Sequence, residues 1–304
     1  MYTNTGAMVA LQTLRQINSA LDTTSDRVAS GVRIGEARDG AVSWAAATTL
    51  RSDNGALGVV RDALSLGRAT VGAAAGGLAG VREGLEEVRN LLVSARTPGA
   101  DRTAIQTEVE GILADVEGIA RSATINEQNL LSVDSSAAGF NQTASVVGGF
   151  ERTATGVSIS TIDLDVNDIK VLDPAGGTAE GILDEDRTAG STSVAVNAID
   201  IGALTDSAAD MTTLEETIQI ADAAIQDLIV AESRVGSALS RIDSQSDFVA
   251  ALIDANDRAV GTLVDADMEA ESSRLRALQT QQQLAIQALA VSNASMANVL
   301  GLFR

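Results

Sequence analysis

The chain has 304 residues, 45% of them apolar but only 2% aromatic, and a formal net charge of −20. Histidine and cysteine are absent, which removes histidine acid–base catalysis, thiol nucleophiles, disulfides and the usual zinc and haem ligands. A surface this acidic is a poor partner for nucleic acid or for an anionic membrane, and no cofactor is expected.

With so few aromatics, Ala, Leu, Ile and Val must do the packing, which suits slim helices lying side by side. The two prolines, Pro98 and Pro174, leave long uninterrupted elements possible. The first element shows heptad spacing at Ala10, Leu14, Ile17, Leu21, Thr24 and Val28. A long run follows at Leu57, Val60, Leu64, Gly67, Val71, Ala74, Leu78, Val81, Leu85, Val88, Leu92 and Ala95, with no charge on the seam. One helix from Trp44 to Arg96 would span about 80 Å. Its end is signalled by Thr97-Pro98-Gly99. Asp101 can cap a next helix, whose stripe reads Ile105, Val109, Ile112, Val116 and Ile119. The short turn between the two implies antiparallel neighbours.

Between Ser132 and Asp210 the heptads vanish. "FNQTASVVGGF" and "GVSISTIDLDV" are rich in β-branched residues and predict one or more hairpins, while "DPAGGTAEGILDEDRTAGS" reads as exposed turns. A third helical run then extends from Leu214 to Leu263, interrupted on its seam only by Glu232, Ser246 and Asn256. Such polar seam positions are expected to fix register.

From Ala277 to Phe303 there is no charge at all. The seven glutamines and asparagines in this stretch argue against a membrane span. One apolar line contains Ile286, Leu289, Met296, Leu300 and Phe303. A second, roughly half a turn away, contains Leu284, Ala288, Val291, Val299 and Leu302. One partner helix covers one line only. The expectation is that the chain ends pair and that the remaining face is covered by further copies of the chain. Packing inside a single core is the alternative. The fold expected is mainly α: long antiparallel helices packed as a coiled coil or bundle, with a small β-rich outer segment in mid-chain.

Two segments resemble a known family. "DRVASGVRIGEARDGAVSWA", Asp26 to Ala45, is similar to the N-terminal motif of bacterial flagellins through Ser30, Gly31, Arg33, Ile34, Ala37 and Asp39. Asp265 to Arg304, with Asp265-Ala266-Asp267 and Asn298-Val299-Leu300 before Arg304, resembles the flagellin C-terminus. The similarity extends over roughly residues 1–131 and 211–304. It implies a non-enzymatic subunit that self-assembles helically into the extracellular flagellar filament for swimming. Residues 1–40 with 260–304 would form the inner core, and 41–131 with 211–259 an outer helical core. Residues 132–210 would form a variable region facing solvent. The assembly residues are then Leu14, Ile17, Leu21, Val28, Leu284, Ile286, Leu289, Val291, Met296, Leu300 and Phe303. Export without a cleaved signal is implied, with the flagellar export apparatus, an export chaperone, and hook-junction and cap proteins as partners. A hook–filament junction protein and a non-polymerising coiled-coil binding module are the alternative readings.

The sequence departs from the family twice. Thr124-Ile125-Asn126-Glu127 before Leu130-Leu131 replaces the usual Thr-x-Phe-Asn-Gly. Glu86-Glu87-Val88-Arg89-Asn90-Leu91 stands where flagellins read by the animal innate receptor have Gln-Arg-Val-Arg-Glu-Leu, so Glu87 reverses a charge. Other patterns carry little. "VGAAAGGLAG" lacks the end of a phosphate loop. Asp163, Asp165, Asn167 and Asp168 fail the calcium-loop pattern at the glycine and glutamate positions. Asn141-Gln142-Thr143 is a short glycan-acceptor match. The zinc-protease insert of some flagellins is excluded without histidine, and the lone Lys170 suggests no Ser–Lys pair.

Overall fold

In a computed structural model of the chain, residues 5–153, 156–175 and 180–301 are described, with side chains as far as Ala294. The helices are α1 (Thr5–Ser30), α2 (Ala41–Ala95), α3 (Arg102–Ser122), α4 (Ala208–Val264) and α5 (Met268–Gly301). Between α3 and α4 lie three two-stranded antiparallel sheets: β1 (Thr124–Ile125) with β2 (Gln128–Asn129), β3 (Thr143–Thr153) with β4 (Gly156–Asp165), and β5 (Arg187–Ala189) with β6 (Thr192–Val194). The chain forms two compact units, residues 1–55 with 253–304, and residues 56–252.

In the unit of residues 56–252, all twelve seam positions of the long run on α2 are buried. The seam runs along α4, where Leu214, Ala221, Ile225, Leu228, Val235, Ile242 and Val249 are buried, except that Gly67 is covered by Val146 of β3. A ladder of ion pairs runs beside this seam, with arginines on α2 or just past its end and acids on α4: Arg68–Asp243 at 2.7 Å, Arg82–Glu232 at 3.0 Å, Arg89–Asp222 at 3.3 Å and, from the residue after α2, Arg96–Glu215 at 2.8 Å. Residue numbers rise on one helix and fall on the other, so the pair is antiparallel. Exposed pairs of this kind contribute little stability each, but a one-residue slip would break all four together. Glu232 therefore interrupts the apolar seam to hold Arg82.

Asp101 caps α3 by accepting from the Ala104 N–H at 3.1 Å. The buried row on α3 differs from the expected one. It reads Arg102, Gln106, Val109, Leu113, Val116 and Ala120, while Ile105 and Ile112 are half-buried and Ile119 is exposed. The shift has a polar cause. Arg102 donates to the carbonyls of Ala95 and Leu204 and to Asp206. Gln106 accepts from Ile201 N–H at 2.9 Å and donates to Ile199 C=O at 3.0 Å, pairing with the backbone as a strand would. Ile112 and Ile119 instead cover glycine positions of α2. A Cβ added at Gly84 would collide with Val116 and meet Ile112, and one added at Gly80 would press on Ile119.

The middle segment packs onto these helices. The β1–β2 hairpin closes through Asn126 (φ 50°) and Glu127 (φ 64°). Two positive φ values mark a two-residue turn of the primed type. Glutamate at its second position takes a conformation that favours glycine, so the local geometry survives the departure from the family motif at a steric cost. β3 and β4 pair in register with a bulge between Val147 and Gly149. The stretch Asp173–Ser191, expected to be exposed turns, is partly interior: Gly181, Leu183 and Asp173 are buried. Leu183 N–H bonds to Val171 C=O and Leu183 C=O accepts from Asn197 N–H, and Leu131, Ile169, Val171, Val196 and Ile201 are buried as well.

Lys170, the only lysine, is fully buried there and donates to Asp173 at 2.7 Å. Ser135 donates to the same carboxylate, and Asp173 N–H donates to Asp184. Burial pushes the Asp173 carboxyl up, but the hydrogen bonds from Lys170 and Ser135 and the ammonium charge outweigh it and hold the group below the ordinary carboxylate range. The acids of the rejected calcium pattern also serve internal contacts: Asp163 with Ser145, Asp165 with Gln142, and Asp168 with Arg234.

Two outcomes follow for stability. Gly76 meets nothing within 4 Å of an added Cβ, so Gly76→Ala should stabilise by about 1 kcal/mol through helix propensity. Gly84→Ala should forfeit that gain and lose about 1–3 kcal/mol by overpacking against Val116; urea unfolding of the two variants measures the difference. A carboxylate whose folded pKa is depressed stabilises above its unfolded value, about 3.9, and loses that contribution as pH falls through the folded value. Asp173→Asn should therefore cost about 3–5 kcal/mol near neutral pH by leaving Lys170 buried without its counter-charge, and should flatten the acid limb of stability below about pH 4, as read by thermal unfolding across pH.

Candidate assembly surface

In the unit of residues 1–55 and 253–304, α1 packs antiparallel on α5. Ala10, Leu14, Ile17, Leu21 and Val28 are half-buried and Thr24 is buried, which is the heptad row expected on α1. Gln282 donates to Asn18 at 2.8 Å, and Arg27 reaches Glu271 at 3.4 Å.

On α5 the covered row is Leu275, Leu278, Gln282, Ala285, Leu289 and Ser292. Of the expected assembly residues, Leu289 lies in this row, whereas Leu284 (59%), Ile286 (52%) and Val291 (69%) are exposed. The polar pairs at Asn18 and Arg27 set the register and bring Gln282 and Ala285, not Ile286, against α1. Phe303 and the side chains of Met296 and Leu300 lie outside the described residues. On α1, Met8 and Val9 are exposed as well, at 60% and 65%; reading only the heptad row passes over them. Leu275 and Leu278 were legible in principle, because their spacing continues to Gln282, Ala285 and Leu289.

The motif residues Ser30 to Asp39 form the link between α1 and α2, and their shared work is to tie it to the link between α4 and α5. Gly31 ends α1 at φ +74°, the left-handed conformation of a helix C-terminus, with its N–H bonded to Arg27 C=O. Its own carbonyl accepts from Ala266 N–H at 3.0 Å. Arg33 and Ile34 N–H both reach Val264 C=O, and the Arg33 guanidinium reaches Leu263 C=O at 3.1 Å. Ser30 donates to Asp26 C=O. Asp39 accepts from the N–H groups of Gly35 and Glu36 and closes the loop. Ile34 then seats in a small core with Ala47, Val260 and Val264, flanked by Trp44, Leu50 and Leu263. Nearby, Asn256 donates to Asn54 at 2.8 Å, and Asn54 donates to Asp257. The polar seam position Asn256 is thus matched by an amide on α2.

A cleft of about 740 Å³ opens beside this link, lined by Arg27, Arg33, Arg38, Asp26, Glu36 and Asp39 among others. Its charges are balanced, and Arg38 pairs with Glu36. In the unit of residues 56–252, Val88 is buried in the α2 seam, Glu86 pairs with Arg82, Arg89 pairs with Asp222, Leu91 is half-buried and Glu87 is exposed. Among the described residues no helix is long and apolar enough to cross a membrane, and no group of three or more acidic side chains is placed to hold a metal ion.

Long helices, an apolar helix face without cover and a motif that fixes a helix junction define a structural, self-associating subunit. The comparisons agree. Residues 1–135 match the bacterial flagellin N-terminal helical region, and residues 218–303 match the bacterial flagellin C-terminal helical region. Flagellin C of Rhizobium meliloti (strain 1021) is 41% identical over 317 residues, covering 99% of this chain and 98% of that protein. Flagellin A of the same strain is 36% identical over 393 residues, covering 99% of both chains. A flagellin of Brucella melitensis biotype 1 is 36% identical over 303 residues, covering 99% of this chain and 98% of that protein. The chain belongs to the bacterial flagellin family. It is a structural protein, a self-assembling subunit of the extracellular flagellar filament that serves motility.

Proposed function

We propose that the apolar side chains left exposed on α5, Leu284 and Val291 on one side of the helix and Ile286 on another, are covered in the filament by other copies of this chain. Residues 1–40 with 260–304 then form the inner core. Residues 41–131 with 211–259 form the outer helical core, and 132–210 face solvent. The single observation that carries this reading is that α1 covers one side of α5 and leaves three large apolar side chains on the other sides more than half exposed. Burying each would contribute roughly 1.5–3 kcal/mol, and leaving such a row in water invites association. Leu14, Ile17, Leu21, Val28 and Leu289 act within the subunit by joining α1 to α5. Met296, Leu300 and Phe303 continue the apolar pattern of the sequence and are assigned to the same contacts. The subunit travels through the flagellar export apparatus without a cleaved signal, attended by an export chaperone. It joins the hook-junction and cap proteins at the filament ends. A chain without cysteine suits passage in an unfolded state, since no disulfide has to be made or broken.

The decisive measurement is elongation of sheared filament seeds by purified full-length subunit. Leu284→Asp with Val291→Asp should abolish elongation while leaving the helical circular dichroism and the unfolding midpoint of the free subunit within error. Growth at the normal rate would overturn the assignment of that face.

The innate-receptor segment gives a second outcome. Glu87 is exposed and carries the charge opposite to the arginine found in receptor-activating relatives. The purified subunit should activate reporter cells weakly, and Glu87→Arg should raise the response. Full activation by the unaltered subunit would contradict the role given to this position.

A further inference from the structure

The chain's one lysine is sealed in the interior, and self-association makes no use of it. Lys170 is 0% exposed and Asp173 3%, and Lys170 Nζ stands 2.7 Å from Asp173 Oδ2. Burial penalises both charges. Passing one proton along this hydrogen bond leaves a neutral amine facing a neutral carboxylic acid. A desolvated lysine amine is a nucleophile, and the carboxyl carbon lies one bond beyond the oxygen it touches.

The backbone holds the two groups together. Lys170 N–H donates to Val166 C=O at 2.9 Å, and Lys170 C=O accepts from Ile182 N–H at 3.1 Å. Val171 and Leu172 N–H both donate to Leu131 C=O, at 2.7 and 2.9 Å. Asp173 N–H donates to Asp184, which is held in turn by Asn197. Every residue from Lys170 to Asp173 is thus pinned. Reacting groups fixed in alignment gain an effective concentration of about 10⁵ M or more. Ser135 completes the arrangement. Its N–H donates to Asp173 Oδ1 at 3.3 Å and its hydroxyl to Oδ2 at 2.5 Å. The two oxygens are thereby distinguished. Oδ1 faces a backbone donor, as a developing oxyanion requires, while Oδ2 lies between the Lys170 amine and the Ser135 hydroxyl.

We propose that Lys170 and Asp173 join in an intramolecular isopeptide bond once the middle segment has folded. The buried ion pair is the reactant. Nζ attacks Asp173 Cγ, and the carbonyl electron pair moves onto Oδ1. Its return breaks the Cγ–Oδ2 bond. Oδ2 takes both protons that Nζ gives up, one of them relayed by the Ser135 hydroxyl, and leaves as water. Ser135 is half-buried beside exposed Asp134 and Ser136, so the water has a short way out. The unfolded chain offers neither the dry surroundings nor the fixed geometry, so the bond forms only after folding. It replaces a buried ion pair, which carries a desolvation penalty, with a neutral amide, and it caps the only lysine.

That single lysine gives the test. A lysine-specific endoprotease cuts the denatured chain once, after Lys170, and cannot cut there when Nζ carries an acyl group. Full-length subunit kept folded at neutral pH should become lighter by one water molecule and resist that protease after denaturation. Fragmentation mass spectrometry should then find Lys170 joined to Asp173. Ser135→Ala, which keeps both reacting groups, should slow the mass change by about 10²-fold. Asp173→Ala should keep its full mass and be cut completely. Unaltered subunit that stays at full mass and is cut completely after Lys170 overturns the proposal. A loss of water that leaves Lys170 cleavable overturns it too, since the water then comes from another site. Both of these outcomes are read on the unaltered chain, so a variant that fails to fold does not obscure them.

Discussion

A helix held by one partner can hide only one side of its circumference. That constraint governs α5. Its apolar residues are spread around the axis, and α1 is slim enough to cover a single row of them. Where the covered row needs a polar anchor, it has Gln282 against Asn18. The uncovered rows carry leucine, isoleucine and valine. A sequence meant to fold alone would place charge there, yet the stretch from Ala277 to Phe303 contains none. In the proposed filament that surface is completed by neighbouring copies.

The unit of residues 56–252 solves a different problem. Its α2–α4 seam is built from small and aliphatic side chains, so little in the core itself specifies register. Specification comes from polar groups beside or within the seam. Three arginines of α2, and Arg96 just past its end, meet four acids of α4. Gln106 and Arg102 take places on α3 where apolar residues would pack as well, and each binds backbone carbonyls or N–H groups of the returning chain. Removing one partner of such a contact strands the other in the interior. The family motif works in the same way in the unit of residues 1–55 and 253–304, where Gly31 to Asp39 bind the junction of α4 and α5 chiefly by main-chain hydrogen bonds.

How far the fold could be read from the sequence depends on what sets each position. The α2 seam was fully legible because twelve consecutive apolar or small residues at heptad spacing admit one reading. The α1 row was legible for the same reason. On α3 the apolar stripe misled by a fraction of a turn, since Arg102 and Gln106 compete for the interior through hydrogen bonds that depend on residues a hundred positions away. The segment after Asp173 looked like exposed turns because Gly, Thr and acidic residues dominate it. A buried Lys170–Asp173 pair and a single leucine, Leu183, bring it inside. On α5, period alone could not choose between two apolar lines, and the register came from Asn18, Arg27 and their partners. The family resemblance identified the class of the protein without deciding any of these contacts.

The division of labour between the ends and the middle also bears on reversibility. The side chains joining α1 to α5 are mostly half-buried, whereas those between α2 and α4 are buried outright. In the flagellin reading, part of the free energy of forming the filament goes to ordering the terminal helices, which lowers the net gain per contact. A weaker intramolecular pairing at the ends is then an advantage. In that reading it lets their apolar side chains choose among neighbouring copies, while the seam between α2 and α4 stays fixed.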